Sequence, residues 1–272
     1  MIRVAVILLA VLVSLPVHAF EVTLAGRLEQ GGLVIGTTLP GSQVTFAGRT
    51  LATTDSGGFL LGLERDAPPE LELVVTAPDG TTFARRFAVA PRQWQIEKID
   101  GVPQGLVTPD PATEALIAAE NKLMAAARAK LELTAFYRTG FIRPAEGRVS
   151  GVFGSQRILN GSPRAPHAGL DIAAPVGTPV HAAADGIVVL QKAGMVLTGH
   201  TVVLNHGYGL ETLYIHMNAI HVREGQRIRQ GDLIGEIGMT GRANGPHLHF
   251  GATWFDTRID PETLLAVLPA PK

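Results

Sequence analysis

The 272-residue chain contains no cysteine. That absence excludes disulfides and thiolate metal sites, and leaves His, Asp and Glu as the available metal ligands. An excess of either charge is also lacking, since 23 Lys and Arg face 24 Asp and Glu for a formal net charge of −1. No bulk attraction to nucleic acid or to an anionic membrane follows from that balance. Histidine is missing from a long stretch: none lies between His18 and His167. Long apolar runs are scarce as well. One stands out, Val4 to Val13, and it is short for a bilayer-spanning helix of about 20 residues. It follows Arg3 and leads to Val17-His18-Ala19, which reads as a secretory signal peptide over residues 1–19, cleaved before Phe20. An uncleaved anchor is the competing reading. With no lipidation cysteine beside the cleavage point, the mature chain is expected to be soluble, without a stable membrane anchor, and periplasmic or secreted.

What is present has length enough for two modest domains. Residues 20–100 alternate in short runs such as Val44-Thr45-Phe46 and Leu71-Glu72-Leu73-Val74-Val75. Turn signals separate them at Pro40-Gly41, Asp55-Ser56-Gly57-Gly58 and Pro78-Asp79-Gly80,. The spacing predicts an antiparallel β-sandwich, similar to the immunoglobulin-like, regulatory-like modules appended to many secreted enzymes, with a docking or spacing role. Residues 101–145 read as a linker with a helix. Asp110 is its expected N-cap and Pro111 its first helical residue, and Leu116, Leu123, Ala127 and Leu131 form an apolar stripe ending near Leu133,. From 146 to 265 the glycine-rich runs predict an antiparallel β domain, followed by a tail at 266–272. The fold class is therefore mostly β. Gly225 to Asp232 looks like a lipoyl-type hairpin, but no carrier lysine stands at an exposed tip.

The chemistry is concentrated in three short segments of the last domain. In Gly245-Pro246-His247-Leu248-His249-Phe250, a strand would project His247 and His249 from one side. Such a pair can hold a metal or set one ligand beside one acid/base group. His167-Ala168-Gly169-Leu170-Asp171 adds an imidazole and a carboxylate, and Tyr214-Ile215-His216-Met217 another imidazole. Tyr214 fits either an oxyanion contact or the core. His206 reads as structural, and Asn160 as a loop residue in left-handed geometry or a cleft residue.

Taken in order, His167-x-x-x-Asp171, Tyr214-x-His216-Met217 and His247-Leu248-His249 resemble the lysostaphin/LytM-type (M23) zinc metallopeptidases. Flanking patterns agree, including Ala174-Pro175-Val176-Gly177-Thr178-Pro179 and Gly238-Met239-Thr240-Gly241. The resemblance covers residues 146 to 262 closely. It implies Zn2+ held by His167, Asp171 and His249, with His216 and His247 unliganded and catalytic. No His-Glu-x-x-His motif supplies a glutamate base,, so imidazole takes that role. The implied activity is a peptidoglycan hydrolase, an endopeptidase cutting stem-peptide crosslinks of the cell wall. The alternatives are a non-enzymatic activator of other wall hydrolases, disfavoured because all five positions are intact, and a lytic peptidase aimed at other cells.

Overall fold

The computed structural model describes residues 21–101 and 104–271, so the signal-peptide reading of residues 1–19 lies outside the described residues. Seven strands come first: β1 (Thr23–Gly26), β2 (Leu33–Thr37), β3 (Gln43–Phe46), β4 (Arg49–Leu51), β5 (Gly58–Gly62), β6 (Glu70–Thr76) and β7 (Thr82–Ala88). They make two antiparallel sheets, ordered β1-β2-β5 and β4-β3-β6-β7. Period-two patterning drives this: in β6, Leu73 and Val75 are buried while Glu70 and Glu72 are exposed,. The Pro40-Gly41 turn closes with Ser42 N donating to Leu39 O at 3.2 Å, and Gly41 takes φ +78° as the third residue of a type II turn requires,.

The connecting segment holds β8 (Ile96–Ile99), a short α1 (Gln104–Val107) and α2 (Pro111–Arg128). Asp110 caps α2 as the sequence predicts, accepting from Ala112 N and Thr113 N at 2.9 Å. Two expectations for this helix are corrected. It stops at Arg128 rather than near Leu133, because the following backbone binds elsewhere: Glu132 O accepts from Tyr208 N at 2.8 Å and Lys130 O from Asn205 Nδ2 at 3.4 Å. Its inward face is also rotated by one residue. Leu116 and Leu123 are exposed, whereas Ile117, Glu120 and Met124 face the second domain. Polar anchors set that rotation. Glu120 accepts from Val196 N at 3.0 Å, and Arg128 reaches the buried Glu211 at 3.2 Å.

The remaining elements are β9 (Arg148–Gly151), β10 (Gln156–Leu159), β11 (Ser162–Pro163), β12 (Gly169–Ala173), β13 (Pro179–His181), β14 (Gly186–Met195) and β15 (Gly199–Asn205). They continue with β16 (Leu210–Ile220), β17 (Arg227–Ile228), β18 (Leu233–Ile237), β19 (His247–Trp254), β20 (Thr257–Ile259) and α3 (Pro261–Val267). The large sheet runs β17-β14-β15-β16-β19-β12-β9, all antiparallel, with β18, β13 and β20 on its margins. This agrees with the predicted antiparallel β domain. β8 joins the second half, pairing parallel with β10 so that Glu97 stands opposite Arg157. A single cluster of buried apolar side chains runs from Leu33 and Phe59 in the sandwich through Trp254 to Tyr214 and Phe250.

Candidate metal centre

β19 lies between β12 and β16, and register does the assembly. Asp171 on β12 pairs directly with His249, and Ile215 on β16 pairs with His249 from the other side. His167 enters just before β12, its N–H donating to Ser155 O at 2.8 Å. His216 arrives by a different device. The β15–β16 register slips between His200 and Val202, and within that bulge His216 takes φ +63° with its N–H on Thr198 O. A left-handed β-strand residue other than glycine is strained. Bulges re-aim side chains in this way, and here the turned imidazole packs against His247, ring centroids 4.8 Å apart and planes tilted by 50°.

Three polar atoms converge. His167 Nε2, Asp171 Oδ1 and His249 Nδ1 form a triangle with sides of 2.8 to 2.9 Å. All three residues are buried. His167 Nδ1 lies 2.9 Å from Val152 O, and a carbonyl only accepts, so that nitrogen carries the proton and Nε2 presents a lone pair,. The same logic applies to His216, whose Nδ1 donates to Thr240 O at 2.8 Å, and to His247, whose Nδ1 donates to Gly245 O at 2.8 Å. Each therefore offers Nε2 as an acceptor. His247 Nε2 stands 3.8 Å from Asp171 Oδ1, outside the triangle that includes His249.

Electron-rich atoms this close require positive charge among them, either a shared proton or a metal ion filling several lone pairs at once. His167, Asp171 and His249 could hold such an ion, and a nitrogen–nitrogen–carboxylate set without thiolate suits zinc,. Burial, then the neighbouring His247 and His249, push His216 down to about 3, and burial pushes His249 down to about 4. Both are neutral near pH 7, as a ligand or proton acceptor must be. Burial opposes charge on Asp171, but the imidazoles of His167 and His249 beside it outweigh burial and hold the carboxyl well below the usual range.

Space around the triangle is kept by glycine. A Cβ at Gly151 would stand 2.7 Å from Asp171 Oδ2 and 3.2 Å from His167 Cε1, and one at Gly169 would strike Phe250 O and the His249 ring. Two further residues escape the sequence reading. Arg157 on β10 binds the second oxygen of Asp171, and its Nε lies 3.6 Å from Glu97 on β8. No spacing rule marks an arginine in Gln156-Arg157-Ile158-Leu159. Its signal is positional only, in a short strand about ten residues ahead of His167.

Two of the cavities beside the triangle meet at Arg157 and Arg242, which line both. One, about 430 Å3, opens beside Asp171 and His247. The other, about 210 Å3, opens beside His167, His216 and His249 and is bordered by Ile117, Glu120 and Met124 of α2. Away from the centre, Tyr214 is core: its hydroxyl oxygen accepts from Ala183 N at 2.9 Å and from Thr212 Oγ1 at 3.0 Å. His206 is structural, bridging Asp185 O and Thr212 Oγ1. Asn160 takes φ +47° in a turn, the left-handed geometry expected of a loop asparagine.

The profile described as Peptidase family M23 matches residues 165–261. Over 108 residues the chain is 43% identical to "DD-carboxypeptidase/endopeptidase Mpg" of Neisseria meningitidis serogroup B, a match covering 39% of this chain and 24% of that protein. It is 42% identical over 104 residues to "Peptidoglycan DD-endopeptidase ShyA" of Vibrio cholerae, covering 38% of this chain and 24% of that one. The matched stretch thus spans about a quarter of the length of these curated relatives. A crystal structure of a peptidase M23 from Pseudomonas aeruginosa superposes with TM-score 0.70 at 25% identity, covering 90% of this chain and 97% of that one. The three motifs, the antiparallel sheet that joins them and the matched stretch coincide, and the chain carries a domain of peptidase family M23.

Proposed function

We propose that the chain is an exported zinc metalloendopeptidase that hydrolyses peptide crosslinks of peptidoglycan. One observation carries the reading: two imidazole nitrogens and a carboxylate oxygen converge within 2.8 to 2.9 Å, beside two further imidazoles that are not part of the triangle. The relatives' names, a peptidoglycan DD-endopeptidase and a DD-carboxypeptidase/endopeptidase, support the choice of substrate. His167, Asp171 and His249 are the zinc ligands in this account. A bound zinc supplies Lewis acidity that lowers the pKa of water towards roughly 7 and polarises a carbonyl.

The chain's own groups do the rest. Thr240 O and Gly245 O fix the tautomers of His216 and His247, so in each neutral ring the lone pair sits on Nε2,. One accepts the proton of the attacking water and passes it to the leaving amine as the C–N bond breaks, and the other, protonated from solvent, donates to the oxyanion. Arg157 holds Asp171 through its outer oxygen, leaving Oδ1 for the triangle. With Asp171 committed there, the site has no pair of carboxylates suited to glycosidic cleavage. Purified sacculi digested with the zinc-loaded protein should lose crosslinked dimers and gain monomers, with glycan strands intact, and a chelator should stop the release. Shortened glycans with crosslinks untouched would overturn the proposal.

A further inference from the structure

β8 belongs to the connecting segment and lies outside the matched stretch of residues 165–261, yet it packs against the metal centre. Backbone bonds fix its register at both ends. Gln156 N donates to Gln95 O at 2.7 Å, and Asn160 N to Ile99 O at 2.9 Å. That register sets Glu97 opposite Arg157, on the face that carries Arg157 to Asp171,. Two carboxylates thus contact one guanidinium: Nη2 holds Asp171 Oδ2, and Nε lies 3.6 Å from Glu97 Oε2. The second contact is one of charge, since Arg157 Nε is buried and makes no hydrogen bond. Glu97 Oε1 also accepts from Val152 N in a long bond of 3.5 Å, and Val152 O fixes the tautomer of His167. One side chain of the connecting segment therefore touches the supports of two of the three converging groups.

An arginine against the ligand of a divalent cation acts in two directions. Its hydrogen bond orients Asp171, but its charge competes with the ion for that carboxylate and repels the ion itself. We propose that Glu97 is a positioning residue for the metal centre, neutralising Arg157 so that the guanidinium orients Asp171 without weakening the hold on a dication. The ion pair is largely shielded, with the two side chains 22% and 20% exposed, so solvent screens it only in part,. The inference rests on the reading of His167, Asp171 and His249 as metal ligands, and adds to it a carboxylate that acts through Arg157. With the charge of Glu97 removed, Arg157 pulls harder on Asp171 and the metal is held less well.

The test is the zinc affinity of the full chain, read by competition with a chelating dye and independent of activity. Glu97→Gln keeps the shape of the side chain and removes its charge. It should weaken zinc binding about 10–100-fold, the range for a group that supports a ligand from outside. Glu97→Asp, which keeps the charge on a shorter stem, should fall between the wild type and Glu97→Gln. Arg157→Gln and the double variant complete a cycle. If Glu97 acts through Arg157, Glu97→Gln should lose most of its effect once Arg157 is gone. Damage to the fold would instead persist in both backgrounds, so the cycle separates the two. An unchanged affinity in Glu97→Gln overturns the proposal, as does an equal loss in both backgrounds, and either result leaves the metal centre standing. A wild type that binds no zinc counts against the centre itself, and the role of Glu97 falls with it.

Discussion

At the scale of single residues, the site is built as much by backbone carbonyls and glycines as by the histidines. Val152 O, Thr240 O and Gly245 O each fix one imidazole tautomer, and Gly151 leaves the space that Asp171 and His167 occupy. Gly151→Ala should therefore displace Asp171 through its Oδ2, without touching any atom of the triangle directly. Disturbance of this outer layer typically lowers metal affinity about 10–100-fold. Competition for zinc against a chelating dye measures it, and an unchanged affinity would show that the Asp171 side chain yields freely. The histidine-bearing segments were legible in the sequence because strand alternation and short motifs put imidazoles in recognisable positions. Arg157, Gly151 and the carbonyls were not. Their roles arise from strands that meet only after folding, and a carbonyl has no residue type to read.

At the scale of elements, the strands were legible from alternation and the turns from Pro-Gly and Asp-Gly signals, but the helix was legible only in part. Asp110-Pro111 marks the start of α2 because capping is local chemistry,. Its end and its inward face depend on partners distant in sequence: Asn205, Tyr208, Val196 and Glu211. An apolar stripe through Leu116 and Leu123 pointed to the wrong face, since no periodicity reveals that Glu120 is held by a backbone amide. The bulge that turns His216 was equally invisible, as its φ of +63° is imposed by the β15–β16 slip. If the cap holds the first turn, Asp110→Ala should speed amide exchange at Ala112 and Thr113 while β19 amides keep their protection. Equal protection in the first turn would mean that docking through Glu120 and Arg128 suffices to hold it.

At the scale of the whole molecule, the sandwich and the second domain share apolar packing. Gly62 lies so close to Trp254 that a Cβ would come within 2.8 Å of it, and Phe46 packs on the same indole edge-to-face at 6.3 Å. Arg92 also pairs with the buried Asp260, which caps α3, at 2.8 Å. One continuous core predicts one unfolding transition. Trp254→Ala should lower the stability of the entire chain by about 3–5 kcal/mol. Calorimetry showing two transitions, with only one shifted by the substitution, would mean that the halves fold separately.

The central claim assigns different tasks to histidines two residues apart, and metal content tests it most directly. Zinc should be measured after dialysis in the wild type and in five single alanine variants, at His167, Asp171, His216, His247 and His249. One zinc per chain should remain in the wild type, His216→Ala and His247→Ala, whose turnover nevertheless falls by roughly 10²–10⁴-fold for a lost acid/base group. His167→Ala, Asp171→Ala and His249→Ala should lose the metal and the activity together. If His247→Ala releases zinc as His249→Ala does, or if His249→Ala keeps it, the assignment of ligands and proton carriers is wrong.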